Sequence, residues 1–187
     1  MKKVSERATY QEHLTTYYDR QSAVYSATYT GEGRYPTGFH RLQIALAMID
    51  ALRPKPKKVL DAGCGDARMV IRLQKRAISC TGFDVSDGML EVGRKYLREE
   101  KLSEGLITHG DIYKIPAKKN SLDLLLSLGV LENLDRHNEI FREFRRVLKP
   151  KGRVLISLEN HLFSLFSFNQ HTLRFLQRLF KDIKIPA

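Results

Sequence analysis

A chain of 187 residues, 42% hydrophobic and 28% charged, has the composition of one globular α/β or α+β domain and is too short for two independent catalytic domains. Thirty-two Lys and Arg against twenty-one Asp and Glu leave a formal charge of +11, which raises nucleic acid, anionic membrane and acidic small molecules as partners. The two cysteines, Cys64 and Cys80, show no pairing pattern, which argues against a disulfide scaffold or a zinc site. The first 30 residues read as a helix, or a helix with breaks, carrying Tyr10, Tyr17, Tyr18, Tyr25 and Tyr29, with no apolar run of the kind a secretory signal needs. Gly31-Glu-Gly33 and Pro36-Thr-Gly38 mark a loop. From Phe39 to Leu52 the apolar positions recur at helical spacing, and Pro54 and Pro56 end that helix. Strand and helix then alternate, which predicts a parallel sheet with right-handed crossovers. The expected elements are a strand Lys58–Ala62, a helix Ala67–Arg76, a strand Ile78–Asp84 and a helix Ser86–Glu100. Strands Leu106–His109 and Leu122–Ser127, a helix Arg136–Leu148, a tight turn Lys149-Pro-Lys-Gly152 and a strand Arg153–Leu158 follow. The remainder looks helical, and no stretch approaches the ~20 apolar residues of a membrane span. A soluble, cytoplasmic protein is expected.

The charge excess is spread along the chain, apart from Lys55–Lys58 and the tail. Most basic residues stand beside acids on presumed outer helix faces, as with Arg142, Glu143, Arg145 and Arg146. That is a solvated face rather than a nucleic-acid stripe with interleaved aromatics.

The central feature is Val59-Leu-Asp-Ala-Gly-Cys-Gly-Asp-Ala67, running from a strand through Gly63 and Gly65 into a helix. Glycines there permit a sharp turn and a close ligand approach, and the helix N-terminus offers free N–H groups. Asp84 stands at the tip of the next predicted strand, where a carboxylate accepts hydrogen bonds from both hydroxyls of a ribose. A dinucleotide fingerprint would need glycine where this chain has Arg68. The bland alternatives are turn glycines of another α/β protein, a strand-end cap at Asp84 and a small filler at Cys64.

With Asp61 two residues before the first glycine, the segment resembles the motif of class I S-adenosylmethionine-dependent methyltransferases, in which Ala67 replaces a usual third glycine. The resemblance runs from about Lys57 to Leu158 and implies a Rossmann-like α/β sheet of about five parallel strands flanked by helices. It implies S-adenosylmethionine as cofactor, held by Asp61, Gly63, Cys64 and Gly65, with Asp84 on the ribose and Val85 and Met89 against the adenine. By the same likeness Asp111 accepts from the adenine amino group and Ile112 stacks on the ring or donates its backbone N–H. Ser121 to Leu134, including Leu128, matches the fourth strand and the loop abutting the sulfonium. Near relatives in the family often have His where Asn133 stands. Tyr18-Asp-Arg-Gln-Ser-Ala-Val-Tyr25 and Gly38-Phe-His-Arg41 resemble the N-terminal helices of ubiquinone/menaquinone-type small-molecule methyltransferases.

On this reading residues 1–53 form a helical lid and substrate segment, and residues 54–187 form the cofactor-binding core. Tyr25 or Tyr17 would reach the methionine end of the cofactor, the alternative role for both being helix packing. Methyl transfer from a sulfonium is an in-line displacement in which the protein supplies alignment and exclusion of water. An oxygen nucleophile would need a general base, for which His13, His40, Glu132, His137 and His161 are candidates, and the sequence singles out none of them. A small-molecule acceptor is expected. The alternatives are a nucleic-acid methyltransferase, disfavoured by the absence of an Asn/Asp-Pro-Pro-aromatic signature and of a Pro-Cys pair, and a non-catalytic cofactor-binding scaffold. No metal is expected.

The family sheet continues beyond the fifth strand with a helix and an antiparallel hairpin, for which this sequence offers no strands. The fifth strand is then an open edge, which folded proteins cover or pair. Three outcomes are expected: a truncated sequence, an edge paired with a second copy as a homodimer, or the segment Leu162 to Phe168 folded over it. Leu173, Leu176, Phe180 and Ile183 form a helical stripe flanked by Arg174, Arg178 and Lys181, and a basic helix on an anionic membrane surface is its minority reading.

Overall fold

The computed structural model of the chain describes residues 12–22, 24 and 37–158. Met1–Ser157 form one compact unit and Leu158–Ala187 a second. In the first, helix α1 spans 12–22 and α2 spans Thr37–Ala51. The alternating core follows as β1 (Lys58–Ala62), α3 (Arg68–Gln74), β2 (Ser79–Asp84), α4 (Asp87–Glu99), β3 (Ile107–His109), β4 (Leu122–Leu128), α5 (His137–Val147) and β5 (Leu148–Ser157). Short 3₁₀ turns at Glu104–Leu106 and Leu131–Asn133 interrupt the loops before β3 and after β4.

Among the described residues the four strand pairings are all parallel, in the order β3-β2-β1-β4-β5. The expected five-stranded parallel sheet is present. Its strands are apolar because helices cover both faces. Strand alternation divides the core into two layers. Val59, Leu124 and Leu126 pack against Leu46 and Ile49 of α2, Val70 of α3 and Leu90 of α4. Leu60, Ala62 and Leu125 pack with Ile140, Phe144 and Val147 of α5 on the opposite face. Each fully buried aliphatic side chain here contributes about 1.5–3 kcal/mol. The chain order reverses at β1, so the crevice above β1 and β4 is the topological switch point where open α/β sheets bind ligands.

Helix α3 starts one residue later than the sequence implied. Its N-cap, Ala67, sits at φ +65°, which explains why a small residue or glycine stands at this position. The fifth strand differs more. It begins at Leu148 rather than Arg153 and absorbs the expected turn as a bulge: Leu122 pairs with Leu148, and Leu124 with Arg153. Asp123, opposite the bulge, holds it by accepting from Lys149 Nζ at 2.7 Å while its other oxygen accepts the N–H groups of Lys57 and Lys58. A Cβ at Gly152 would lie 2.9 Å from the Lys149 carbonyl oxygen, so the bulge needs glycine there. Among the described residues β5 pairs only with β4. The segment 162–168, expected to cover its edge, and the stripe from Leu173 lie outside the described residues.

Candidate functional site

The loop between β1 and α3 is shaped by its glycines. Gly63 adopts φ +83°, and a Cβ there would stand 2.4 Å from Val130 Cγ2. The Gly63 and Cys64 N–H groups both donate to the Phe83 carbonyl, at 2.9 and 3.0 Å, binding the loop to β2. The Gly65 N–H then donates to Asp84 Oδ2 at 2.8 Å, and the Ser86 N–H donates to Oδ1 at 3.0 Å. Burial pushes the Asp84 carboxyl above the ordinary carboxylate range, while the N–H groups of Ser86 and Gly65 pull it back. Ser86 also caps α4, its hydroxyl accepting the Met89 N–H at 3.1 Å.

Above this loop lies a cavity of about 140 Å³. Gly63, Cys64, Gly65, Asp84, Val85, Met89, Asp111, Ile112 and Leu128 all line it, so the structure brings together nine of the sequence-derived candidates. Asp111 Oδ1 accepts the Tyr113 N–H at 2.9 Å, which fixes the turn that carries Ile112. Tyr113 in turn donates its hydroxyl to Asp135 Oδ1 at 2.9 Å, and the Arg136 guanidinium stacks 3.8 Å above its ring. This clasp joins the loops after β3 and β4; the phenol is pushed up to about 12, by burial first and then by Asp135.

Of the two remaining candidates, only Asp61 is among the described residues. Asp61 is not among the residues lining this cavity. Strand alternation puts it on the α2/α3 face with Val59, where with Arg41 and Arg68 it lines a second cavity of about 40 Å³ that shares Gly63, Cys64, Asp66 and Leu128 with the first. Its carboxyl is pushed up to about 8, by burial first and then by the charges of Asp84 and Asp66. Asp66 itself is paired with Arg68 at 2.8 Å. Tyr25 lies outside the described residues. The neighbouring expectation for Tyr17 is corrected: it is 57% exposed, and helical phase turns the next residue, Tyr18, into the cavity.

The sequence led us to expect walls from the N-terminal helices, the loop 128–137 and the segment after Leu158, without singling out Leu14, Thr15 and Tyr18 of α1 or the opposing Val130, Asn133 and Leu134, which line the cavity. Asn133 Nδ2 donates to the Tyr18 hydroxyl at 3.3 Å across that gap. The signal was present in the Tyr-Asp pair at 18–19, although its partners lie far along the chain. Of the proposed bases, His13, His40 and His137 are exposed and none lines the cavity. His137 Nε2 lies 3.0 Å from the Leu131 carbonyl oxygen. Glu132 also stands off the lining, and its Oε2 is buried with no hydrogen-bond partner among the described residues. His161 lies outside the described residues. Burial pushes both thiols, Cys64 and Cys80, well up, so neither is a ready nucleophile. Among the described residues no group of three or more His, Cys, Asp and Glu side chains is placed to hold a metal ion. Nor, among them, is any helix long and apolar enough to cross a membrane.

Comparison with known proteins agrees with this geometry. The chain is 37% identical over 146 residues to the ubiquinone/menaquinone biosynthesis C-methyltransferase UbiE of Ruegeria sp. (strain TM1040), covering 71% of this chain and 57% of that protein. It is 33% identical over 132 residues to the demethylmenaquinone methyltransferase of Geobacillus sp. (strain WCH70), covering 67% of this chain and 56% of that one. The chain therefore spans little more than half the length of these relatives. Among solved structures, the [4+2]-cyclase SpnF superposes with a TM-score of 0.63 at 23% identity, covering 76% of this chain and 58% of that chain. The YcgJ protein of Bacillus subtilis superposes with a TM-score of 0.56 at 23% identity, over 63% of this chain and 50% of that chain. These two likenesses establish the Rossmann-like fold alone. The profile of the methyltransferase domain family matches residues 60–156, a stretch from within β1 to within β5 that carries the glycine loop, Asp84 and every lining residue of the cavity except those of α1, and the chain belongs to that family.

Proposed function

We propose that the chain binds S-adenosylmethionine in the crevice above the C-terminal ends of β1, β2 and β4 and transfers its methyl group to a small-molecule acceptor. The observation that carries this reading is the state of Asp84. Each of its oxygens accepts one main-chain N–H, from Gly65 or Ser86, and each retains a further acceptor direction beside the cavity it lines. That is the requirement of a vicinal diol. Val85, Met89 and Ile112 offer apolar surface for a flat ring next to it, and the second oxygen of Asp111 is available to an amino group. Gly63 and Gly65 bring main chain rather than side chain to the cavity wall, which fits the residues present to the cofactor.

When bound, the cofactor supplies an electrophilic methyl carbon on a positively charged sulfur. The remaining work falls to the chain. Leu128, Val130, Leu134 and Leu14 present apolar walls that exclude water, and Tyr18 presents an aromatic ring to a cation. The Tyr18 hydroxyl and the Asn133 amide are polar groups among these walls, able to orient an acceptor with an apolar body and a polar edge. The names of the similar enzymes, which act in quinone biosynthesis, support a small organic acceptor. Residues 1–53 as lid and acceptor segment, residues 54–187 as cofactor core, and a soluble cytoplasmic setting belong to the same proposal. Pairing of two copies through the β5 edge is one of the three outcomes expected for that edge, and sedimentation reads it.

The test is transfer of radiolabelled methyl from S-adenosylmethionine into organic and nucleic-acid fractions of a cell extract. Label in the organic fraction, lost in Asp84→Ala, is the expected result. Label in RNA or DNA would replace the acceptor class, and cofactor binding with no transfer at all would reduce the chain to a scaffold.

A further inference from the structure

Helix α1 sits over the crevice, and two consecutive residues fasten it to opposite sides. Tyr18 receives a hydrogen bond from Asn133, in the loop after β4. Asp19 faces the other way: its Oδ1 accepts the Ser86 hydroxyl at 2.5 Å and the Gly88 N–H at 2.9 Å, at the start of α4 beyond β2. Ser86 is the residue whose own N–H steadies Asp84. The approach is close enough to dictate sequence. A Cβ on Gly88 would lie 2.8 Å from Asp19 Cα and 2.9 Å from its carbonyl oxygen, so α1 rests on bare α4 backbone. Nothing about the α4 helix itself asks for glycine in its first turn, where glycine is a poor helix former.

We infer that Asp19 is a positioning residue: it straps α1 across the crevice and, through Ser86, couples the closed position of Leu14, Thr15 and Tyr18 to the carboxylate that holds the cofactor. This rests on the cofactor reading above. The strap opposes ligand release, since the ligand leaves past the wall that α1 supplies. Its contribution is therefore a slower dissociation rate rather than a faster association.

The test uses the full chain and S-adenosylhomocysteine as probe, with stopped-flow displacement on wild type, Asp19→Ala, Asp19→Asn and Gly88→Ala. Asp19→Ala and Gly88→Ala are expected to raise the dissociation rate about tenfold, the effect of removing a charge-assisted contact. Asp19→Asn recovers most of that loss, because its amide oxygen still accepts both hydrogens. Alanine at 88 strengthens α4 as a helix, so faster release in that variant cannot be assigned to a weaker fold. Hydrogen exchange over residues 12–22 supplies the second readout: in the ligand-free chain, Asp19→Ala must accelerate it. Wild-type release rates and unchanged exchange in both disruptive variants would overturn the strap. If the wild type binds no S-adenosylhomocysteine, the cofactor reading falls, and the exchange measurement still decides whether Asp19 fastens α1.

Discussion

The main-chain N–H of Gly65 donates to Asp84 Oδ2 at 2.8 Å, so a single carboxylate both shapes the glycine loop and faces the ligand cavity. With Ser86 N–H on the other oxygen, both main-chain partners are donors. Asp84→Asn must therefore turn an amide NH₂ toward an N–H. This isosteric change is expected to destabilise the ligand-free fold by about 1–3 kcal/mol, the cost of an unsatisfied buried pair. Chemical denaturation of the two proteins is the check, and equal stability would mean that the loop does not depend on this carboxylate.

Gly63→Ala is expected to be more damaging than a glycine-to-alanine change on an ordinary loop. Its φ of +83° strains any side chain, and the new methyl would meet Val130 Cγ2 at 2.4 Å. A loss of about 2–4 kcal/mol follows from the two effects together. In a Val130→Ala background the clash disappears and the strain does not, so the double variant is expected to regain part of the thermal stability.

Asp61 gives the fold a pH dependence of defined sign. Its carboxyl is pushed from its ordinary 3.8 to about 8 in the folded chain, by burial and then by Asp84 and Asp66. Between those two values the unfolded chain has released the proton and the folded chain has kept it, so stability falls as pH rises through that window. Asp61→Asn removes the effect. The variant is expected to melt about 3 °C or more above wild type at pH 8.5 and to lose that advantage toward pH 5. Parallel melting curves at all pH values would show that Asp61 is ionised in the fold.

Arg146 ties α5 to the chain that leads into β4. Its guanidinium donates to the Ile115 and Ala117 carbonyls, each at 2.8 Å, and binds Glu143, which also accepts the Ile115 N–H. The hydrogen bond from Arg146 holds the Glu143 carboxyl below its ordinary range, so this contribution is present at neutral pH and is lost as pH falls through the depressed value. Lysine cannot reproduce the planar fork. Arg146→Lys is expected to cost about 1–2 kcal/mol at pH 7, after allowance for partial exposure, and less near pH 3; urea titrations at both pH values read the difference.

The parts of the site that were legible in the sequence are those whose partners lie nearby in the chain or follow a period. The glycine loop is local, and Asp84 is found at the end of an apolar run. The strap was not legible, because Asp19 and Tyr18 meet partners 67 and 115 positions away. The bulge in β5 was read as a turn because its anchor, Asp123, belongs to another strand. Asp61 matches the motif by position, yet strand alternation aims it with Val59 at the α2/α3 face, a distinction that a linear motif does not carry.

The most direct measurement is calorimetric titration of the wild-type chain and Asp84→Ala with S-adenosylmethionine. The account expects one site per chain in the wild type and an affinity at least about tenfold weaker in the variant, the effect of losing two hydroxyl contacts to a charged acceptor. No heat of binding in the wild type, or equal affinity in both proteins, would contradict it.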